Sequence, residues 1–95
     1  MCFAIALPIM DIQIDPHTLE RAAQRGASKE EIIDVLISGV SLLAKQGRLA
    51  KAKVYEYKQT RLENYYEQKR IEVFYVEEYG KIITVTVYVF YGKWV

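Results

Sequence analysis

The chain has a single cysteine, Cys2, and a single histidine, His17, among its 95 residues. One thiol excludes an internal disulfide and a cysteine-based zinc cluster. One histidine and one cysteine are also too few for a transition-metal site unless carboxylates supply the other ligands, so we expect no metal or other cofactor. The absence of disulfides is typical of a reducing cytoplasm, which is the compartment we predict.

The chain also lacks an excess of one charge and a long hydrophobic run. The net charge is +1, so the protein as a whole is not a polycation. The first ten residues, MCFAIALPIM, are apolar, but they are too few to span a bilayer and contain no basic residue. We therefore expect no membrane association. Residues 1–9 are interpreted as an extension or an added edge strand, with Met10 as a possible natural start, and residues 10–95 as a single domain.

Two helices are predicted from their capping residues. Asp15 can cap a first helix that runs from Pro16 to about Arg25, since proline suits the first helical position. In SKEE, Ser28 and Glu31 form a capping box for a second helix, Lys29–Ser38. The residues of the first helix expected to face the core are Leu19, Ala22, Ala23 and Gly26.

The rest of the chain is predicted to form strands. A short strand is expected at Met10–Ile14, another at Ala52–Tyr57, and two long ones in the last third, joined by a turn at Glu78–Lys81. Residues 60–66 are typical of a loop. In the last strand one face is expected to hold Ile83, Val85, Val87 and Val89. The order β-α-α-β-β-β predicts an α+β fold in which a helical hairpin packs on one face of an antiparallel sheet.

The first helix carries the most informative spacing in the chain. His17, Arg21 and Arg25 are four residues apart, which places them on one helix face, away from the apolar stripe. This arrangement is either a solvated helix surface or an acid/base group beside two cations that bind phosphate.

A second basic stretch extends from Lys45 to Arg61, with six basic residues against one acid, Glu56. Such a local excess can attract a polyanion. The alternative is a solvated loop and strand face, since charged strand edges also discourage aggregation.

Three segments resemble a known family. The string HTLERAAQRGASKEEIIDVLISG is similar to the opening of the bacterial and archaeal family called Domain of Unknown Function 4258. IITVTVYVFYGKW resembles its closing strand, and YYEQKRIEVFYVEE the strand before it. The resemblance covers most of the chain from about Asp15 and implies a fold similar to the small RelE and ParE toxins. That superfamily includes ribosome-dependent and free RNA endonucleases and also gyrase poisons. The resemblance therefore implies RNA or the ribosome as a target and a small antitoxin protein as a partner, or an inactive descendant that keeps the fold.

Metal-independent RNA cleavage needs a base, an acid and cations that stabilise the phosphorane. Under this hypothesis His17, Arg21 and Tyr88 are the catalytic residues, His17 transferring a proton. The residues expected to bind substrate phosphates are Arg25, Lys51, Lys53 and Arg70, and those expected to stack bases are Tyr55, Tyr57, Tyr65 and Tyr66.

A non-enzymatic interaction module is the rival hypothesis. Glutamates lie among the basic and aromatic residues and would repel a phosphate backbone on the same face. These are Glu56, Glu67, Glu72, Glu77 and Glu78. Such a module would bind a partner protein at an open sheet edge. Convergence of His17, Arg21 and Tyr88 on one concave, positively charged surface would favour the ribonuclease hypothesis. An enzyme acting on a small molecule ranks lowest, because the sequence has no nucleotide loop or nucleophile motif.

Overall fold

Two helices and five strands form the part of the chain that the computed structural model describes, residues 11–44 and 47–94. The helices are α1 (Pro16–Arg25) and α2 (Lys29–Ser38). The strands are β1 (Asp11–Gln13), β2 (Val40–Leu42), β3 (Leu49–Arg61), β4 (Asn64–Glu78) and β5 (Lys81–Gly92). The interpretation of residues 1–9 concerns residues outside these ranges. Neither described helix has the length and hydropathy to cross a bilayer.

Both helices have the predicted bounds because their caps act locally. Asp15 Oδ1 accepts a 2.8 Å hydrogen bond from the backbone N–H of His17, so the first turn of α1 is closed by its own cap. At α2, Ser28 N–H donates to Glu31 Oε1 at 3.0 Å and Glu31 N–H donates to Ser28 Oγ at 3.1 Å. These two bonds are the predicted capping box.

The end of α1 is set by Gly26. Its φ of 104° lies in the left-handed region, and a Cβ at this position would collide with the hydroxyl of Tyr91. Tyr91 Oη donates to the carbonyl of Arg25 at 2.6 Å, which fastens this end of the helix to β5. The predicted apolar stripe of α1 is wrong at Ala23, which is exposed, whereas Ala22 is fully buried.

The five strands form one mixed sheet with the order β1-β5-β4-β3-β2. Three of the four strand pairs are antiparallel. The prediction of a purely antiparallel sheet is wrong for β1, which runs parallel to β5 with Asp11 opposite Lys81 and Gln13 opposite Ile83. Parallel neighbours need a long crossover, and here the whole chain between the first and last strands supplies it. The α+β class is confirmed.

Residues 60–66 form the end of a hairpin, so the prediction of a loop there is wrong. Arg61 pairs with Asn64, and only Leu62 and Glu63 turn the chain, with φ values of 51° and 72°. A two-residue turn of this kind is ordinarily signalled by Asn-Gly or Asp-Gly, and Leu-Glu carries no such signal. The turn predicted at Glu78–Lys81 is confirmed.

A bulge in β5 changes which side chains face the helices. Tyr75 pairs with Thr84 and Phe74 with Thr86, so Val85 is an extra residue without a partner in β4. The predicted alternation therefore fails before the bulge: Thr84 is buried and its Oγ1 donates to the carbonyl of Gln13 at 3.2 Å.

The core lies between the helices and one face of the sheet. Its fully buried side chains are Ile32, Val35, Ile71, Val73 and Val87. Burial of each aliphatic side chain of this size contributes about 1.5–3 kcal/mol. α1 packs against β5, and α2 against β3 and β4. No described element covers the opposite face of the sheet, which we call the open face.

Candidate functional site

A cleft of about 210 Å³ lies between α1 and the edge of β5. Its lining residues are His17, Thr18, Arg21, Arg25, Val85, Thr86 and Val87. The helix contributes the three predicted residues because its period of 3.6 turns them to one side, about 100° around the helix from the buried Ala22. β5 contributes its edge because its neighbour β1 ends at Gln13, opposite Ile83. No described strand pairs with that edge of β5 beyond Ile83.

His17 and Arg21 are both exposed in this cleft. The imidazole lies in the first turn of α1, where the Asp15 cap holds the backbone of His17 in place. Neither side chain makes a hydrogen bond or ion pair with any described residue. None of the described residues that line the cleft carries a carboxylate. Both side chains are therefore available to a ligand, and no acid in the cleft wall repels an anion.

Arg25 is held more firmly. Its Nη1 donates to the carbonyl of Val87 at 2.7 Å, and its guanidinium carbon lies 5.6 Å from the ring centroid of Tyr88. A guanidinium carries five N–H donors, and one of them is used by Val87. Arg25 thus closes the end of the cleft and keeps donors for a phosphate.

The ribonuclease hypothesis names three catalytic residues. Two of them, His17 and Arg21, line the cleft, and the third, Tyr88, lies outside its lining. Its ring lies on the open face of the sheet, 42% exposed, and contacts the cleft through Arg25. The structure brings together His17, Arg21 and Arg25 in one cleft, with Tyr88 next to it across the edge of β5.

Lys51 and Lys53, predicted to bind phosphates, lie on β3, two strands away from the cleft. Lys51 Nζ donates to the carbonyl of Leu36 at 2.9 Å. Lys53 Nζ pairs with Asp34 at 2.7 Å and with Ser38 Oγ at 2.9 Å. Both ammonium groups therefore connect β3 to the C-terminal half of α2.

Asp34 is the centre of this polar cluster. Its carboxylate also accepts a 2.6 Å bond from Tyr55 Oη. Hydrogen bonds from Lys53 and Tyr55 lower the pKa of Asp34, against the smaller opposing effect of burial. Burial, and then the bond to Asp34, raise the pKa of Tyr55. This arrangement fixes α2 on the sheet and holds Tyr55 in place, since its ring packs against the core and lies 5.5 Å from Lys53 Nζ.

The other predicted ligands of RNA are also distant from the cleft or packed. Arg70 pairs with Glu72 at 2.9 Å on the open face. Tyr57 and Tyr66 pack on Tyr91, with ring centroids 5.1 and 5.5 Å away. The ring of Tyr65 is 57% exposed near the hairpin turn.

The sequence prediction missed the strand wall of the cleft. Val85, Thr86 and Val87 line it because β1 is much shorter than β5, which leaves the edge of β5 open to α1. The short MDIQI segment beside the long closing strand was the available signal. The described residues contain no group of three or more histidine, cysteine or acidic side chains that could hold a metal ion.

Comparison of the chain with protein-family models, with curated proteins and with solved structures finds no match. The case for a functional site in the cleft therefore comes from the geometry of the cleft residues.

Proposed function

We propose that the protein is a metal-independent endoribonuclease of the toxin type, with the cleft as its active site. The observation that carries the proposal is that His17, Arg21 and Arg25 line one cleft in which no described lining residue is acidic. The resemblance of the chain to Domain of Unknown Function 4258, and through it to RelE-like toxins, supports the same reaction.

The chemistry follows from the side chains. The imidazole of His17 takes the proton of a 2′-hydroxyl, since histidine is the commonest general acid or base among side chains. The 2′-oxygen then attacks phosphorus, the P–O5′ bond breaks, and the leaving 5′-oxygen takes a proton from water in the open cleft. The hydroxide so formed takes the proton held by His17, which restores the water and the free imidazole. The products are a 2′,3′-cyclic phosphate and a 5′-hydroxyl. Arg21 and Arg25 stabilise the charge on the phosphorane.

Purified protein incubated with RNA in a chelator tests this proposal. We expect cleavage products that end in a cyclic phosphate, and we expect His17→Ala to suppress them while leaving the melting temperature unchanged. Lys29→Ala is the matched control, because Lys29 is an exposed helix cation outside the cleft. If the wild-type protein cleaves no RNA, with or without ribosomes, and does not arrest growth on overexpression, the enzyme proposal is wrong.

A second candidate function is binding of a partner protein at the edge of β5. The carbonyl of Val87 points away from β4, since it accepts from Arg25. Backbone groups alternate in direction along a strand, so the N–H and C=O of Val89 point to the same edge. An extended segment of a partner, such as a small antitoxin, would pair there.

Val89→Pro distinguishes the two candidates. Proline is tolerated where the lost N–H faces away from the sheet, so the variant should fold and should retain a cleft that cleaves RNA. Strand addition would be abolished, because it requires that donor. Retained binding of a partner strand by folded Val89→Pro would exclude this candidate.

A further inference from the structure

The open face of the sheet has an aromatic patch next to the cleft, formed by Phe74, Tyr88, Phe90 and Trp94. Side chains at alternate positions share a sheet face, and the register places Phe74 opposite Thr86 and Glu72 opposite Tyr88. The ring of Tyr88 lies 5.7 Å from that of Phe74 and 6.3 Å from that of Phe90. Trp94 joins the patch at Gly92, where a Cβ would lie within contact distance of the indole.

The patch is exposed although it is made of large rings. Tyr88, Phe90 and Trp94 keep 42%, 46% and 39% of their surface accessible. The remainder of the open face, on β2 and β3, carries aliphatic side chains such as Val40 and Val54 in place of rings. Aromatic rings are therefore concentrated on the half of the open face that adjoins the cleft.

Arg25 links the patch to the cleft. The same guanidinium lines the cleft, bonds to Val87 at the edge of β5, and lies 5.6 Å from the ring centroid of Tyr88. A phosphate bound by Arg21 and Arg25 would therefore place the neighbouring nucleotide at the edge of β5, beside Tyr88. The carboxylate of Glu72, which shares this face, is paired with Arg70 and adds no net negative charge.

We infer that the aromatic patch stacks unpaired bases, and that the substrate of the cleft is single-stranded RNA. This inference rests on the proposed function, since it takes the bound phosphate as its starting point. Flat rings stack on any base that is free of a duplex, and such contacts tolerate different sequences. Bases in an A-form duplex are stacked on each other and cannot lie on Tyr88 or Phe90.

Binding of labelled 2′-O-methyl oligoribonucleotides tests the inference, because these ligands cannot undergo the cleavage reaction. Three ligands of equal length are compared: a single strand, the same strand in a duplex, and a strand with abasic sugars. We expect the single strand to bind most tightly. Tyr88→Ala should weaken its binding by about 5-fold or more, because one stacked base contributes about 1–3 kcal/mol. Binding of the abasic strand should not change, and Tyr88→Trp should retain affinity.

Tyr79→Ala is the matched control, because Tyr79 is a fully exposed tyrosine in the β4–β5 turn. If Tyr88→Ala and Tyr79→Ala bind the single strand equally well, stacking is excluded while the cleft proposal stands. If Arg21→Ala alone abolishes binding of all three ligands and the wild-type protein prefers none of them, the cleft holds phosphate and the patch holds nothing. Absence of all binding by the wild type overturns both proposals. If Tyr88→Ala instead converts a dimer into a monomer in sedimentation, with RNA binding unchanged, the patch is a self-association surface.

Discussion

Two groups of basic residues in this fold have opposite surroundings. The lysine pair of β3, Lys51 and Lys53, donates to Leu36 O and to Asp34. The cleft residues, by which we mean His17, Arg21 and Arg25, have side chains that meet no carboxylate of a described residue. The lysine pair lies in the most basic stretch of the sequence, yet its charges are used within the fold. The availability of basic side chains to a ligand therefore depends on the partners that the fold supplies, and not on their density along the chain.

The sharpest test of this contrast is removal of the imidazole. His17→Ala should lower the rate of RNA cleavage by about 10²–10⁴-fold, the usual contribution of a general acid or base. The melting temperature should not change, because the side chain of His17 bonds to no described residue. RNA cleavage assays in chelator measure the rate, and thermal melts measure the melting temperature. Cleavage at the wild-type rate would remove His17 from the mechanism.

Arg21→Lys keeps the charge and changes its shape. Lysine cannot bind a phosphate through two parallel N–H bonds, so we expect cleavage to slow by about 10- to 100-fold, the contribution of a hydrogen bond to a charged group. Stability should remain that of the wild type, since Arg21 is exposed and has no described partner. If Arg21→Lys cleaves RNA at the wild-type rate, Arg21 contributes only its charge to cleavage or does not contribute at all.

Lys53→Ala should lower the stability and leave RNA cleavage nearly unchanged, which is the reverse of the effect expected for Arg21→Lys. It removes the ion pair to Asp34 and the bond to Ser38, so the melting temperature should fall by up to about 8 °C, and cleavage should stay within about twofold of wild type. Calorimetry and the chelator assay measure both quantities. A large loss of cleavage at unchanged melting temperature would show that Lys53 binds the substrate, as the sequence predicts.

The smallest effect is a pH dependence centred on Asp34. Its pKa in the folded protein is lowered from 3.8, so the stabilisation it provides is complete above that value and is lost as the pH falls through the lowered pKa. Asp34→Asn should lower the melting temperature by up to about 4 °C at pH 7, since exposed ion pairs contribute little. The difference from wild type should shrink toward pH 2. A difference that is constant from pH 7 to pH 2 would contradict this account.

The parts of the fold that sequence reasoning predicted are those that depend on neighbouring residues. Asp15 and Pro16 start α1, and Ser28 with Glu31 starts α2, through bonds that span three residues or fewer. The errors arise where contacts between segments distant in sequence determine the structure. The parallel pairing of β1 with β5 joins opposite ends of the chain, and the bulge at Val85 alters the face of every preceding residue in β5.

The same distinction applies to the site. The shared face of His17, Arg21 and Arg25 follows from helix periodicity alone. That this face meets the edge of β5 depends on the packing of α1, which no local pattern encodes. The basic excess from Lys45 to Arg61 predicts that Lys51 and Lys53 bind phosphates, whereas α2 packs over their face of β3 and supplies their partners.

The bond from Arg25 to Val87 has a further consequence, which concerns aggregation. An unpaired strand edge is a template on which other chains can add, and proteins limit this by placing charged side chains over it. Arg25 occupies one of the outward-pointing carbonyls of β5 and places a cation there. Its removal would expose that edge at the same time as it weakens the cleft. Under the proposed function, one guanidinium would couple the solubility of the protein to its affinity for phosphate.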